Sequence, residues 1–461
     1  MKPLRLRLLL AALAALAASA AHAQTAPQPF TPQERAAIVQ ALRADCEPSA
    51  SAAAQMDDPA LIGAVRQKAA ADLGQRLDPS DVDRFWAYDP PRHDVGAEIA
   101  AARSAGRLGE WLKALAPSDP RYRALIGARC RYQAIERAGG WVTLPAGLKL
   151  KPGADRPEVK QLRARLAAEG FLSGDAVAST AFDPPVQRAV RSFQERHGLA
   201  ADGVVSTKTL AAMNVTVAER LGQIEANLER MRWLPGRMPG DRLEVDVGAA
   251  EAVLFQGGAP ALSMRAIVGD PRHHSPLFAS RLQAVVFNPP WNVPDSIAQK
   301  EILPKARRQP GYLAREGFVW VEGRLQQRPG PKNALGQLKF DFPSPFGVYL
   351  HDTPARSLFA RPVRTLSHGC MRLEKPKELA AIVLANQDWT PETIDAAIAE
   401  GATQRVDLKG GPPLFVIYTT VDVAEDGTVS FRPDPYGWDA KLTGALAAKL
   451  MAQAAGPSAG K

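Results

Sequence analysis

The chain has 461 residues, enough for two or three domains, and its hydrophobic fraction of 46% is typical of a folded protein. The formal net charge is +9 at pH 7. No basic stretch is interleaved with aromatic residues, so we expect no nucleic-acid partner. The positive excess suits an anionic polymer surface and could equally serve solubility.

The first 23 residues have the features of a secretory signal peptide. The basic stretch Met1–Arg7 precedes an apolar run from Leu8 to about Ala18, and Ala21-His22-Ala23 forms a small-x-small cleavage site. The apolar run is too short to span a bilayer, and no later segment has the roughly 18 apolar residues that a transmembrane helix needs. We therefore expect a soluble protein exported to a periplasm.

Residues 24–149 are rich in alanine and carry apolar residues at helical spacing, such as Leu108, Leu112 and Leu115. This pattern predicts a helical scaffold domain. No motif in it indicates a chemical function.

The chain has three cysteines, Cys46, Cys130 and Cys370. In an oxidising compartment cysteines usually pair, and the plainest interpretation joins Cys46 to Cys130 because both lie in the N-terminal region. Connectivity cannot be read from sequence, so other pairings stay open. A thiol left free outside the cytoplasm risks oxidation and usually has a use, which makes Cys370 a candidate nucleophile.

Residues 150–215 predict a compact three-helix module. Pro157 opens the first helix, Asp183-Pro184 opens the second and Ser206 caps the third. The apolar positions of the first two helices fall on one face of each: Val159, Leu162 and Leu166, then Val186, Ala189, Val190 and Phe193.

This module resembles the peptidoglycan-binding domain of cell-wall enzymes. The matching segments are Val159–Leu162, Ala189–Gln194, Gly198–Val204 and Thr209-Leu210. The resemblance implies a glycan-binding unit. Because most of these positions are core or capping positions, a purely structural three-helix unit stays open.

From residue 223 to 440 the pattern changes to strands. Runs rich in β-branched and aromatic residues predict them: Leu243–Val247, Leu262–Ala266, Val285–Phe287, Phe318–Val321, Phe340–Phe342, Val348–Leu350 and Leu414–Tyr418. Helices are predicted from Pro376 and after Thr390. The fold class is therefore α+β multidomain, with a mostly-β domain at 223–440. Residues 441–461 are predicted to form a flexible tail.

The motif Ser367–Arg372 contains Cys370 and follows a second histidine, His351. A thiol reacts as thiolate, so its usual pKa of about 8.5 must fall through a nearby histidine or a helix N-terminus. Both are expected here, since His368 precedes the thiol by two residues and a predicted helix follows it. Gly369 allows a tight turn whose amides can face an oxyanion. The pattern favours Cys/His acyl transfer.

Other interpretations of these residues stay open. A lone cysteine is often a small buried hydrophobe, and a lone histidine is often structural. Cys370, His351, His368 and Asp352 could instead hold zinc, as in exported zinc enzymes. We expect neither a metal nor another cofactor.

The domain at 223–440 resembles the L,D-transpeptidase catalytic domain of the YkuD type, in its large YcbB-like branch. Besides His351 and the motif, the matching segments are Asn227–Trp233, Asn288–Pro294, Pro329–Gly336, Lys339-Phe340 and Tyr349–Pro354. The resemblance implies that Cys370 attacks the third residue of a peptidoglycan stem peptide and releases D-alanine. His351 would be the general base and acid.

The resemblance also implies supporting roles. The amides of Gly369 and Cys370, with the Tyr349 hydroxyl, would stabilise the oxyanion, while Ser367 and His368 would shape the turn.

Two further residues are candidates for substrate contact. Arg372 would bind a substrate carboxylate or, alternatively, hold the loop through an ion pair. Trp291 lies where this branch carries a lid-like insertion, about residues 289–335, and could equally be core. Residues 270–276 depart from the branch's usual text and are expected to form a substrate-facing loop.

The expected reaction is 3→3 cross-linking of peptidoglycan stem peptides. Hydrolysis by a carboxypeptidase or amidase of the same fold, or attachment of an envelope protein through a lysine, stays open. A non-catalytic wall-binding protein is disfavoured because both His351 and Cys370 are present. Carbapenem-type β-lactams are expected to bind covalently.

Overall fold

The computed structural model describes residues 29–47, 50 and 52–454. The predicted signal peptide, residues 1–23, lies outside this part of the chain. Among the described helices, none has both the length and the apolar character needed to cross a membrane.

The N-terminal region is helical, as its alanine-rich pattern predicts. Its elements are α1 (Pro32–Ala44), α2 (Asp58–Asp72), α3 (Pro79–Val82), β1 (Trp86–Ala87), α4 (Val95–Ser104), α5 (Leu108–Ala114) and α6 (Pro120–Arg137). A capping box at Thr31, with Pro32 in the first turn, starts α1. A disulfide joins Cys46, after α1, to Cys130 in α6 and leaves Cys370 as a free thiol, in agreement with the sequence interpretation.

The three-helix module consists of α7 (Pro157–Ala168), α8 (Pro184–Arg196) and α9 (Thr207–Met213). Asp183 and Ser206 cap α8 and α9 through their side chains, as predicted. The predicted apolar faces form one core. The third helix runs to Met213, past the predicted Leu210.

A single helix, α10 (Val217–Arg232), connects the module to the rest of the chain. The predicted domain boundary at residue 223 falls within it. Glu229 is fully buried and accepts hydrogen bonds from Arg76 and Arg232. The apolar pattern did not predict this placement, because α10 buries the charge of Glu229, which is neutralised by Arg232 in the same helix and by the distant Arg76.

The β-rich region is organised around one large sheet. Its strands are β2 (Arg242–Asp246), β3 (Glu251–Gln256), β4 (Ala259–Gly269), β5 (Leu277–Arg281), β6 (Ala284–Phe287), β10 (Leu338–Asp341), β11 (Leu350–His351), β12 (Thr365–Ser367), β13 (Met371–Leu373), β14 (Gln404–Asp407) and β15 (Pro413–Ile417). The strand order is β1-β5-β15-β2-β3-β4-β13-β11-β10-β6-β14, and β12 pairs with β4. The N-terminal region thus contributes the edge strand β1.

The insertion at 289–335 folds as a small unit of its own. It contains β7 (Trp291–Asn292), α11 (Asp295–Ile297), a π-helical turn (Ala298–Ile302), α12 (Leu303–Arg308), α13 (Tyr312–Arg315), β8 (Phe318–Val321) and β9 (Arg324–Gln327). Its strands form a separate sheet, β7-β9-β8. Buried Asn333 donates to the carbonyls of Pro289 and Gln327 and so ties the two ends of the insertion together.

The predicted flexible tail is wrong for residues 441–454. After the hairpin β16 (Val421–Val423) and β17 (Val429–Phe431), the chain forms α16 (Trp438–Ala454). Trp438, Leu442 and Leu446 are buried one turn apart, in the same core as the large sheet. The many alanines around these three residues obscure their helical spacing in the sequence. The predicted helices after the motif are α14 (Pro376–Leu384) and α15 (Pro391–Ala399).

Removing the disulfide should destabilise the N-terminal region. Because the bridge closes a loop with a sequence separation of 84, the double variant Cys46→Ser/Cys130→Ser should lose about 2–4 kcal/mol of unfolding free energy. Urea unfolding followed by circular dichroism measures this loss, and Cys370→Ser is the matched control that should leave it unchanged. Finding more than one titratable thiol in the unreduced, denatured protein would contradict the pairing.

Candidate active site

Two short parallel strands place the candidate residues on one face of the sheet. Leu350 of β11 pairs with Met371 of β13, and His351 pairs with Arg372. Leu350 and Met371 are fully buried in the core. Because side chains alternate between the faces of a strand, His351 and Arg372 point to the opposite face, and Cys370 lies beside them at the start of β13.

Tyr349 links the thiol to the histidine. Its ring meets the His351 ring edge-on with centroids 5.6 Å apart. Burial and the neighbouring Cys370 raise the pKa of its hydroxyl, and the indole of Trp291 acts in the opposite direction, so the phenol stays protonated and can donate to sulfur. Lys339 Nζ lies 4.5 Å from the Tyr349 ring centroid. Trp291 therefore brings the insertion to the site.

The pKa of the Cys370 thiol is raised, mainly by burial. Hydrogen bonds from the Tyr349 amide and hydroxyl, and the charges of Lys339 and Arg372, offset only part of this rise. The expected help from a helix N-terminus is absent from this arrangement, since β13 separates Cys370 from the start of α14 at Pro376. The resting site thus holds a thiol rather than a thiolate.

His351 is buried and neutral. Burial, together with the positive charges of Arg372 and Lys339, lowers its pKa to about 3, and the carbonyls of Asp352 and Leu335 act against this lowering. Its Nδ1 lies 2.5 Å from the Asp352 carbonyl oxygen. A carbonyl can only accept, so Nδ1 carries the proton and Nε2 keeps the lone pair that a general base needs.

The turn before Cys370 is held by its own serine. The Ser367 hydroxyl donates to the Cys370 carbonyl at 2.5 Å and accepts from the Gly369 amide at 3.2 Å. The predicted use of the Gly369 amide in an oxyanion hole is therefore not supported, because that amide is already bonded. The predicted turn-shaping role of Ser367 agrees with these contacts.

A second loop, residues 270–276, supports the same turn. Ser275 is fully buried, donates to the Gly369 carbonyl at 2.7 Å and accepts from the Gly269 amide at 2.9 Å. The Tyr436 hydroxyl donates to the Gly269 carbonyl at 2.6 Å. The loop predicted to face substrate thus buttresses the catalytic turn at its C-terminal end. In the sequence, only the Ser275-Pro276 pair could have indicated this supporting role.

His368 turns away from the thiol. Its exposed ring places Nε2 2.7 Å from Glu301 Oε1 in the insertion and is tilted against the His273 ring with centroids 4.7 Å apart. It joins the turn to the insertion rather than orienting Cys370. The zinc alternative has no support, since the described residues contain no group of three or more histidine, cysteine, aspartate or glutamate side chains arranged to hold a metal ion.

Arg372 has an unmet capacity to bind an anion. Its Nε is buried without a hydrogen-bond partner, and burial lowers its pKa. No carboxylate of the described chain forms an ion pair with it, so the alternative of a loop-holding ion pair is not supported. A guanidinium in this state favours a carboxylate ligand.

Comparison with known families matches three parts of the chain. Residues 240–406 match the L,D-transpeptidase catalytic domain (YkuD), residues 155–213 match a peptidoglycan-binding domain and residues 5–128 match a scaffold domain. Residues 240–406 form an L,D-transpeptidase catalytic domain. Together with the helical N-terminal region and module, this gives the mixed α+β multidomain architecture that the sequence predicts.

Relatives of known sequence or structure cover parts of this protein. A Haemophilus influenzae protein named "Putative L,D-transpeptidase" is 31% identical over 241 residues, and the match spans 48% of each chain, about half the relative's length. A solved L,D-transpeptidase from Mycobacterium smegmatis matches 39% of this chain and 59% of its own at 17% identity, with a TM-score of 0.20. L,D-transpeptidase 3 from Mycobacterium tuberculosis, solved with a faropenem-derived adduct, matches 39% and 61% at 13% identity and 0.22. At these TM-scores, the domain assignment rests on the sequence matches.

Replacing Gly369 should displace the thiol. Its φ of +107° is strained for other residues, and an added Cβ would lie 3.2 Å from the His274 carbonyl oxygen. Gly369→Ala should lower the rate of Cys370 alkylation by iodoacetamide about tenfold or more with a small change in melting temperature. Gly174→Ala, where an added Cβ meets no neighbour, is the control. An unchanged alkylation rate would exclude the strain.

The pH dependence of thiol reactivity should follow the thiol alone. Because the His351 pKa is about 3, the imidazole is neutral from mildly acidic pH upward. Because the Cys370 pKa is raised, the alkylation rate should climb continuously with pH beyond neutrality, without a step near the usual histidine value of about 6.5. Alkylation rates measured by intact-mass spectrometry give this profile. A plateau below neutral pH would indicate a resting thiolate–imidazolium pair instead.

Proposed function

We propose that the protein is an exported L,D-transpeptidase that forms 3→3 cross-links in peptidoglycan through a thioester on Cys370. The main support is the shared face of β11 and β13, where a free thiol, a neutral histidine and a donating tyrosine lie together. The peptidoglycan-binding domain in the same chain supports the substrate class. Export to a periplasm suits the basic, apolar start of the sequence.

In the first step, Cys370 attacks the carbonyl carbon of the third stem residue. His351 accepts the thiol proton at Nε2 and returns it to the nitrogen of D-alanine as the C–N bond breaks. The Tyr349 hydroxyl, and the Cys370 amide, would donate to the oxyanion that develops on the attacked carbonyl. The products are a thioester on Cys370 and free D-alanine.

Arg372 would bind a carboxylate of the stem peptide, since its buried Nε has no protein partner. Trp291 would close the site from the insertion, where its indole already contacts the Tyr349 hydroxyl. Both side chains would fix the attacked carbonyl relative to the sulfur.

In the second step an acceptor amine attacks the thioester and takes its acyl group, which regenerates the thiol. An amine on a second stem gives the 3→3 cross-link. A protein lysine would give an anchored envelope protein, and water would give a tripeptide. We favour the cross-link because the insertion contacts the site through Trp291 and Glu301 and would restrict water there.

Purified mature protein incubated with tetrapeptide muropeptides should yield dimers that lack one D-alanine, detected by mass spectrometry. Cys370→Ala should abolish them, and His351→Asn should lower their rate by about 10²–10⁴-fold, the usual worth of general acid–base catalysis. Tripeptides without dimers would show that the enzyme hydrolyses the thioester instead of forming cross-links. No change in the muropeptides would contradict the enzymatic function.

A carbapenem should acylate the same thiol, because its strained lactam carbonyl can take the place of the stem carbonyl. Intact-mass spectrometry should find one adduct per chain on the wild-type protein and none on Cys370→Ala. The matched variant Ser173→Ala, outside the catalytic domain, should retain the adduct. An adduct that survives Cys370→Ala would assign the nucleophile elsewhere.

A further inference from the structure

Lys339 occupies a place in the site that the motif does not include. In β10, Lys339 pairs with His351 of β11, so its side chain lies on the same face as the histidine. Its Nζ lies 4.5 Å from the centroid of the Tyr349 ring and 2.7 Å from Asp341 Oδ1. The cation therefore packs on the ring whose hydroxyl interacts with the thiol.

A nearby cation would stabilise the thiolate form of the buried Cys370. Two cations act on the sulfur, Lys339 and Arg372. The helix α14 begins beyond β13, so its N-terminus does not serve. The other cation near the sulfur is Arg372. If a substrate carboxylate binds Arg372, as in the proposed function, that charge is neutralised when the thiol must react. Lys339 then remains as the positive charge beside Tyr349.

The counter-charge of Lys339 is shared. Asp341 also accepts from Arg405 Nη1 at 2.6 Å, and Arg405 Nε contacts Asp407 Oδ1 at 2.9 Å, so Asp341 is shared between two cations and Arg405 between two carboxylates. The groups that face the thiol are thus Lys339 from β10, Tyr349 and His351 from β11, and Arg372 from β13. At the sulfur, the charges of Lys339 and Arg372 both favour the thiolate.

We propose that Lys339 is a positioning residue of the transfer reaction, which holds the Tyr349 hydroxyl on the Cys370 sulfur and stabilises the thiolate and the later oxyanion. The role in the reaction rests on the proposed function. The effect on the thiol does not, because it is present without substrate.

The test is the rate of Cys370 alkylation by iodoacetamide, a neutral probe that Lys339 does not attract. Lys339→Met should lower the rate about tenfold at each pH below the thiol midpoint, equivalent to a one-unit upward displacement of the profile. Lys339→Arg keeps the charge and the stacking and should restore most of the rate. Asp341→Asn leaves the ammonium less compensated and should raise the rate severalfold.

A second lysine–aspartate pair provides the control. Lys377 Nζ and Asp395 Oδ1 are 2.6 Å apart on exposed surfaces of α14 and α15, so Lys377→Met and Asp395→Asn should leave the rate unchanged. A merely structural role would lower the rate for both Lys339→Met and Asp341→Asn, and that result would overturn the proposal. So would an unchanged rate in Lys339→Met. If Lys339→Met does not fold, the direction of the Asp341→Asn effect decides.

The two proposals fail separately. Opposite shifts for Lys339→Met and Asp341→Asn in a protein that leaves muropeptides unchanged would support the role of Lys339 and refute the transpeptidase. Muropeptide dimers formed at the wild-type rate by Lys339→Met would refute the role of Lys339 alone.

Discussion

The parallel pairing of β11 with β13 is the constraint on which the rest of the site depends. Leu350 and Met371 fix this pairing by filling the core. The neighbouring residues His351, Cys370 and Arg372 must then lie on the opposite face of the sheet. A slip of one residue in either strand would turn His351 or Arg372 into the apolar core and a core side chain toward the site, so the same apolar contacts fix the register and the arrangement of the site.

Burial keeps both Cys370 and His351 uncharged in the resting site. The thiol pKa is raised and the His351 pKa is about 3, so neither member of the pair is charged before reaction. Charge separates only during proton transfer, where Tyr349 and the nearby cations act on it. A thiol without a standing negative charge is also a poor target for oxidants, which attack the thiolate. This suits a thiol that stays free in a protein whose other two cysteines form a disulfide.

Sequence predicted the elements whose signal is local. The caps at Asp183 and Ser206, the apolar stripes of the module and the motif at Ser367–Arg372 each lie within one short window. The fold of the catalytic region was predicted from the strand pattern and the family resemblance.

What sequence could not provide are contacts between distant segments. Lys339, Ser275 and Tyr436 come from three separate elements, and each meets the catalytic turn or its neighbour only through the sheet. The raised thiol pKa is a property of burial, which the motif does not encode. The helix after the motif was predicted correctly, but the strand that separates it from Cys370 was not.

The edge strand β1 has a consequence for how the chain must be made. Tyr88, just after β1, donates to the Val416 carbonyl at 2.9 Å across 328 residues, and the Trp86 ring contacts the Trp438 ring with centroids 5.4 Å apart. The sheet is therefore complete only after residues 416–438, which are synthesised late, have contacted residues 86–88, which are synthesised early. The sheet that carries the turn around Cys370 is therefore complete only when segments from both ends of the described chain have come together.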